Sequence, residues 1–424
     1  MRKSVGKGNR MWKFTAAVSI VAFIITLGGY TVMAKGKQPD VFKLGFMTSF
    51  SGVFAAVAET QKKGVLLKVD QINNSGGLNM PWGKVKIKVL MKDDEAKLDV
   101  GVRRYRELVG NGIDGMIGTT YNPMAAAVNE ESKLTNIPFL PSAVPALDSF
   151  RKGNPAKGTF SVAFTPWSIG YLVGGSVVKE LNQKRLFFVP RADSWGATIL
   201  EGLQAALKEF GGELVGVEST PKGTMDYTPI INKALVAKPG AFITSMFGSD
   251  AIGNLKQAYE LGLYDKSKIF NTWTTNVVAT GIPGEALDGM YALMYYYYDM
   301  EGFEDEDLVK RAREFTNAHM KMWNEPPDAY GAIAYVAADI LFQAVEKAGS
   351  FDNDKISKVL KNSKFQTIKG EVYFREDQQM VSKYLAFLVK GKSSAAKKGK
   401  WDVFEVVGYF GGDQALPSLK SLGY

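Results

Sequence analysis

Apolar runs of β type alternate with amphipathic segments of helical period along most of the chain. VFKLGFMT (41–48) precedes the helical AAVAETQKKGVLLKVDQIN (55–73) and the turn NSGG (74–77). KVKIKVLMK (84–92) precedes EAKLDVGVRRYRELV (95–109), and IDGMIG (113–118) precedes MAAAVNEESKL (124–134), with IPFLPS (137–142) following. Short apolar strands separated by helices predict a parallel sheet covered on both faces.

A second round begins with the helical SIGYLVGGSVVKEL (168–181), the strand RLFFVP (185–190) and the helix TILEGLQAALKEF (198–210). GELVGVES, PGAFITSMF and KIFNTW read as further strands, with helices near 228–236 and 249–262 between them. Two successive doubly wound units are the simplest account, and no sequence repeat relates them. GMYALMYYYYDM (289–300), helices over 305–322 and 328–348, and the strands VYFRE, YLAFLVK and DVFEVVGYF are shared out between the units.

Composition agrees with this picture and removes alternatives. A chain of 424 residues suits two packed domains, and 46% hydrophobic with 22% charged residues is ordinary globular usage. Cys is absent, which excludes disulfides, thiolate nucleophiles and sulfur-ligated metals. The start of the chain is of a different kind. Arg2, Lys3, Lys7, Arg10 and Lys13 precede an apolar run from Phe14 to Met33, and Val32-Met33-Ala34 offers small residues for cleavage after Ala34. Residues 1–34 are therefore expected to be a signal peptide, and the mature protein to be periplasmic; a retained membrane anchor is the competing reading. Cleavage there removes five basic residues and no acidic ones, lowering the formal charge from +9 to about +4, no basis for nucleic-acid binding. The Lys-rich KGKSSAAKKGK (390–400) reads as a solvated turn, and Ala386 stands where a phosphate loop needs its first glycine.

No catalytic constellation is present. His319 is the only histidine, in a helical run, and is expected at the surface or partly packed. One histidine without cysteine leaves no nucleophilic triad and no histidine-based metal cluster. Asp93-Asp94 is read as a cap for the next helix rather than a metal site. An enzyme is not expected, nor a metal or cofactor.

The chemistry lies at the strand ends, because open α/β sheets bind ligands beyond the carboxyl ends of their strands. Six such corners are MTSFSGVF (47–54), GTTYN (118–122), LPSAVPA (140–146), RADSWGA (191–197), FGSD (247–250) and TWTTN (272–276). At 118–122, Thr119, Thr120, Tyr121 and Asn122 crowd a helix start whose first amide groups lack intrahelical partners. Trp195, Phe247 and Trp273 are large aromatics where small or charged residues would serve simple turns. Together the corners describe a cleft with a polar wall and an apolar wall.

These residues resemble the type I periplasmic substrate-binding proteins of ABC transporters, in the leucine/isoleucine/valine-binding group. The resemblance runs from about 41 to 410, on KLGFMTSFSGVFA, VDQINNSGGLN, GMIGTTYNPMAAAV, IPFLPSAVP, DSWGATILEGLQAALKEFGGELVG and PPDAYGAIAYVAADIL, in that order. It implies two α/β lobes joined by crossovers near 164, 290 and 380, that is 41–164 plus 290–379 and 165–289 plus 380–424. It also implies a small-molecule ligand between the lobes and an ABC permease as partner; a monomer is expected. Carried over by position, the ligand-carboxylate receptacle falls on Asn122 beside Tyr121, with Ser142 and Val144 in the next corner. The aromatics closing over the ligand fall on Trp195, Phe247 and Tyr330. The acid that pairs with an α-ammonium in this family falls on Trp273. A buried ammonium without a carboxylate carries a large desolvation penalty, so an aromatic or apolar acid is expected rather than an ordinary α-amino acid, its carboxylate at 118–122 and its ring against Trp273.

Overall fold

The computed structural model describes residues 38–142, 152 and 155–424. The leader expected at 1–34 and the pocket residue Val144 lie outside them. The first sheet is built from β1 (Val41–Thr48), β2 (Leu78–Met80), β3 (Gly83–Asp93), β4 (Gly115–Gly118) and β5 (Phe139–Pro141), in the order β2-β3-β1-β4-β5. β3, β1, β4 and β5 run parallel, while the short β2 turns back on β3. Helices α1 (Ala55–Asn74), α2 (Leu98–Gly110) and α3 (Asn122–Thr135) make the connections. The apolar strands β4 and β5 are buried throughout, as strands covered on both faces must be. Gly118 ends β4 at φ +141°, and a Cβ there would lie 1.9 Å from Met47 O, so only glycine lets β4 finish against β1.

The second sheet starts after α4 (Pro166–Gly175), whose first turn is capped by Thr165 accepting from Ser168 N. Then follow β6 (Arg185–Val189), α5 (Ser194–Phe210), β7 (Glu213–Val217), α6 (Thr228–Ala237), β8 (Ala241–Thr244), α7 (Ser249–Glu260), β9 (Lys268–Asn271) and β10 (Tyr291–Met294). β10 runs parallel to β9, so the chain leaves this sheet after Met294, a few residues beyond the crossover expected near 290. The apolar YALM is buried on both sides there, which an edge of the first sheet would not provide.

Three helices come next: α8 (Glu306–Trp323), α9 (Ala329–Ala348) and α10 (Asn353–Asn362), the last not foreseen from sequence. A small antiparallel sheet of β11 (Lys364–Thr367), β12 (Gly370–Phe374) and β13 (Met380–Ser382) follows. β14 (Ala386–Gly391) and β15 (Phe404–Phe410) complete the second sheet antiparallel, in the order β15-β14-β10-β9-β8-β6-β7. Every residue of α9 from Ala329 to Phe342 is buried. Its N-terminus is capped by Asp328 accepting from Tyr330 N, and it ends at Gly349 in the left-handed region.

The three segments between the sheets are tied to one another. Tyr295 Oη donates to Val162 O at 3.1 Å, Gln379 Nε2 donates to Ala163 O at 2.7 Å, and Lys369 Nζ donates to Tyr295 O. Among the described residues, no helix is long and apolar enough to cross a membrane.

Candidate functional site

Each sheet has one place where the strand order reverses, and there the loops leave in opposite directions and open a crevice. In the first sheet it lies between β1 and β4, in the second between β6 and β8. One cavity joins the two. From the first sheet's side it is lined by Phe54 after β1, by Thr120, Tyr121 and Asn122 after β4, and by Tyr330 at the start of α9. From the second it is lined by Arg191 and Trp195 after β6 and by Phe247 after β8. The cavity is small, about 260 Å³ of space with its mouth included.

The second wall is rigidly built. Arg191 N donates to Ser245 Oγ at 2.9 Å, and Trp195 Nε1 donates to Ser245 O at 2.9 Å, fixing both residues to the end of β8. Asp193 caps α5 by accepting from Trp195 N at 3.0 Å, and its other oxygen accepts from Arg191 Nε at 2.7 Å. Arg191 is 6% exposed, and its guanidinium lies 5.8 Å from the centroid of the Trp195 ring. Its Nη1 and Nη2 have no hydrogen-bond partner among the described residues. Phe247 meets Tyr330 with ring centroids 5.6 Å apart, and Tyr330 Oη accepts from Trp273 Nε1 at 3.1 Å.

The first wall is polar at its base. Thr120 Oγ1 donates to Gln61 Oε1 and shares a hydrogen bond with Thr48 Oγ1. Tyr121 caps α3 with its backbone alone and stacks on Phe54 at 6.0 Å. Lys222, from the loop after β7, lies 5.0 Å from the Tyr121 ring and 5.8 Å from that of Phe54, a cation–π contact between the walls. Asn122 is 1% exposed, yet neither Oδ1 nor Nδ2 has a partner among the described residues. Burial raises the Tyr121 hydroxyl above its ordinary value, Asp193 adding to this and Arg191 opposing it. Burial also raises the Tyr330 hydroxyl, with the Trp273 hydrogen bond and Arg191 pulling it back. Both phenols stay neutral donors at physiological pH.

Of the residues singled out from the sequence, Tyr121, Asn122, Trp195, Phe247 and Tyr330 line this one cavity. Ser142 sits at the end of β5, its N donating to Gly118 O at 3.0 Å and its Oγ unpaired among the described residues. Trp273 stands behind Tyr330, 1% exposed, edge-on to Phe164 at 4.9 Å. Arg191 was missed, although its signal was present: it is the one basic residue in the six strand-end corners. His319, expected at the surface or partly packed, is 1% exposed with Nδ1 2.7 Å from Glu325 O, because the loop after α8 folds back over it. Among the described residues, no group of side chains is arranged to hold a metal. A wider groove lies between α4, the end of α5 and the segment after β15, but it is away from both crevices and none of its lining residues carries a buried unpaired polar side-chain atom.

Two doubly wound sheets with a cavity between their switch points define a two-lobed small-molecule binding protein. The comparisons give the family. The periplasmic binding protein family profile matches residues 41–398. A leucine-, isoleucine-, valine-, threonine- and alanine-binding protein of Pseudomonas aeruginosa is 21% identical over 367 residues, 87% of this chain and 92% of that one. An ABC-transporter solute-binding protein from R. palustris in complex with benzoate superposes with a TM-score of 0.75 at 19% identity, over 89% of this chain and 99% of that one. Another, from Rhodopseudomonas palustris BisB5 in complex with 3,4-dihydroxybenzoic acid, gives 0.76 at 20%, over 90% and 99%. The chain belongs to the periplasmic binding protein family, as a type I member of the leucine/isoleucine/valine-binding group. It is a substrate-binding protein rather than an enzyme.

Proposed function

We propose that the protein captures a small carboxylate-bearing ligand, an aromatic or apolar acid rather than a standard α-amino acid, and delivers it to the permease of an ABC importer. In this reading it works in the periplasm as a monomer, after loss of residues 1–34. Its lobes are 41–164 with the segment after β10 to 379, and 165 through β10 with 380–424, and they close on the ligand.

The observation that carries the reading is the charge of the cavity lining. Among the described residues Arg191 is the one ionised group on it, and no carboxylate lines it. The nearest carboxylate of the same corner, Asp193, is committed to Arg191 Nε and to the amides of Trp195 and Gly196. An α-ammonium would therefore be desolvated next to a cation with no acid to receive it. An anion would find a guanidinium and neutral donors between aromatic faces. The benzoate and 3,4-dihydroxybenzoic acid complexes of similar proteins support this class, while the Pseudomonas aeruginosa relative supports amino acids.

The test is a titration of the mature protein with leucine, valine, short amides and aromatic carboxylates, followed by intrinsic Trp fluorescence. Tight binding of aromatic acids is expected. Tight binding of leucine or valine with no response to aromatic acids would overturn the reading.

A further inference from the structure

The two polar ends of the cavity differ in kind. Arg191 has one donor, Nε, held by Asp193, which leaves the N–H groups of Nη1 and Nη2 without a partner among the described residues. The backbone of its corner is closely packed, since a Cβ on Gly196 would come within 2.1 Å of Arg191 O. Asn122, on the opposite wall, leaves both the donor and the acceptor of its amide unpaired while fully buried. On the same cavity Tyr330 accepts from Trp273, so its own hydroxyl hydrogen remains to be donated.

An ionised carboxylate only accepts. At Asn122 it would satisfy Nδ2 and leave Oδ1 facing a negative charge, whereas at Arg191 it meets a planar fork of donors with opposite charge. A buried amide is fully paired only by a group that both donates and accepts, such as a hydroxyl. From this geometry we infer that Arg191 receives the ligand's carboxylate and that Asn122 reads a hydroxyl at the other end, so that the ligand class is a hydroxylated aromatic acid. The inference rests on the carboxylate-ligand reading above. It reverses the orientation expected from sequence, where the carboxylate was placed at 118–122.

The mature full chain is titrated with benzoate, 3- and 4-hydroxybenzoate and the neutral 4-hydroxybenzamide, following Trp fluorescence and calorimetry. The better hydroxybenzoate should bind at least about tenfold more tightly than benzoate, because without the hydroxyl the buried amide stays unpaired. It should bind about a hundredfold more tightly than the amide, which lacks the charge. Arg191→Gln should bring the acid-to-amide ratio close to unity while keeping the preference for the hydroxyl. Asn122→Ala should do the converse, erasing the hydroxyl preference and leaving the acid-to-amide ratio. If Arg191→Gln does not fold, Arg191→Lys keeps the charge without the fork, and should lose about tenfold in acid affinity while still discriminating against the amide.

An acid-to-amide ratio that survives in Arg191→Gln, or collapses in Asn122→Ala, overturns the inference and leaves the carboxylate reading standing. Benzoate binding as well as both hydroxybenzoates does the same. Failure of the unaltered protein to bind any aromatic acid overturns the inference, and failure to bind apolar acids as well overturns both.

Discussion

The indole Nε1 of Trp273 donates a 3.1 Å hydrogen bond to the hydroxyl of Tyr330, joining the end of β9 to the start of α9. Asp328, two residues earlier, makes the same crossing: its Oδ1 accepts from Tyr330 N and its Oδ2 accepts from Val277 N at 3.0 Å. The N-terminus of α9 thus holds a cavity wall and the contact between the two sheets' loops at once.

Tyr330→Phe keeps the ring against Phe247 but removes the acceptor, leaving a buried indole N–H unpaired. Stability should fall by about 1–3 kcal/mol in urea unfolding. An unchanged midpoint would show that the indole finds another acceptor at no cost.

Gly64 of α1 and Gly331 of α9 let the two helix backbones touch, since a Cβ on Gly64 would lie 2.0 Å from Gly331 O. Backbone cannot rotate away as a side-chain tip can. Gly64→Ala should cost about 1–3 kcal/mol, and it should weaken ligand binding as well, because Tyr330 is the residue next to Gly331. A variant as stable as the parent would mean that α1 slides freely over α9.

Lys222 faces the stacked rings of Tyr121 and Phe54 from the other wall. An exposed cation–π contact contributes about 0.5–1 kcal/mol, so Lys222→Gln should weaken ligand binding about two- to fivefold. Thermal stability of the ligand-free protein should barely move. Equal affinities for the two proteins would remove Lys222 from the closing contact.

His319 supplies a pH test free of other imidazoles, being the single histidine. Burial holds its pKa below the ordinary value, with the Glu325 carbonyl opposing. The unfolded chain, titrating near about 6.5, therefore binds the proton more readily than the fold does. Stability is complete above that value and declines as pH falls through it. Burial raises the carboxyls of Asp94 and Asp328, which have the opposite sign but act equally in both proteins. Melting temperatures at pH 7.5 and 5.5 should show a smaller drop for His319→Gln than for the parent. Identical drops would exclude the histidine as the source.

Much of the site was legible because its residues follow strands whose apolar runs are unmistakable. Tyr121, Asn122, Trp195 and Phe247 each stand within a few residues of such a run, and the rule that ligands bind beyond strand ends selects them. Arg191 was legible in principle and overlooked, since a lone arginine after a strand is most simply a solvated charge. Its burial depends on Asp193 and on Ser245, 54 positions away, which no local pattern reports. Lys222 could not be read at all, because its partners belong to the opposite wall. The helix at 353–362 was missed for a different reason: it is short, and its apolar stripe is three residues, Ile356, Val359 and Leu360, among polar neighbours.

Periodicity along the chain determined the parallel sheets, the helices between them and the strand-end corners, while composition left no cysteine and a single histidine. These follow from local sterics and from the need to bury apolar faces, which neighbouring residues decide together. Tertiary structure alone decided which side chain faces which across the cavity. It put Trp273 behind Tyr330, brought a guanidinium opposite an unpaired amide, and carried β10 into the second sheet. Those choices depend on distances between residues far apart in sequence, and on burial that exists only once the two sheets share a crevice.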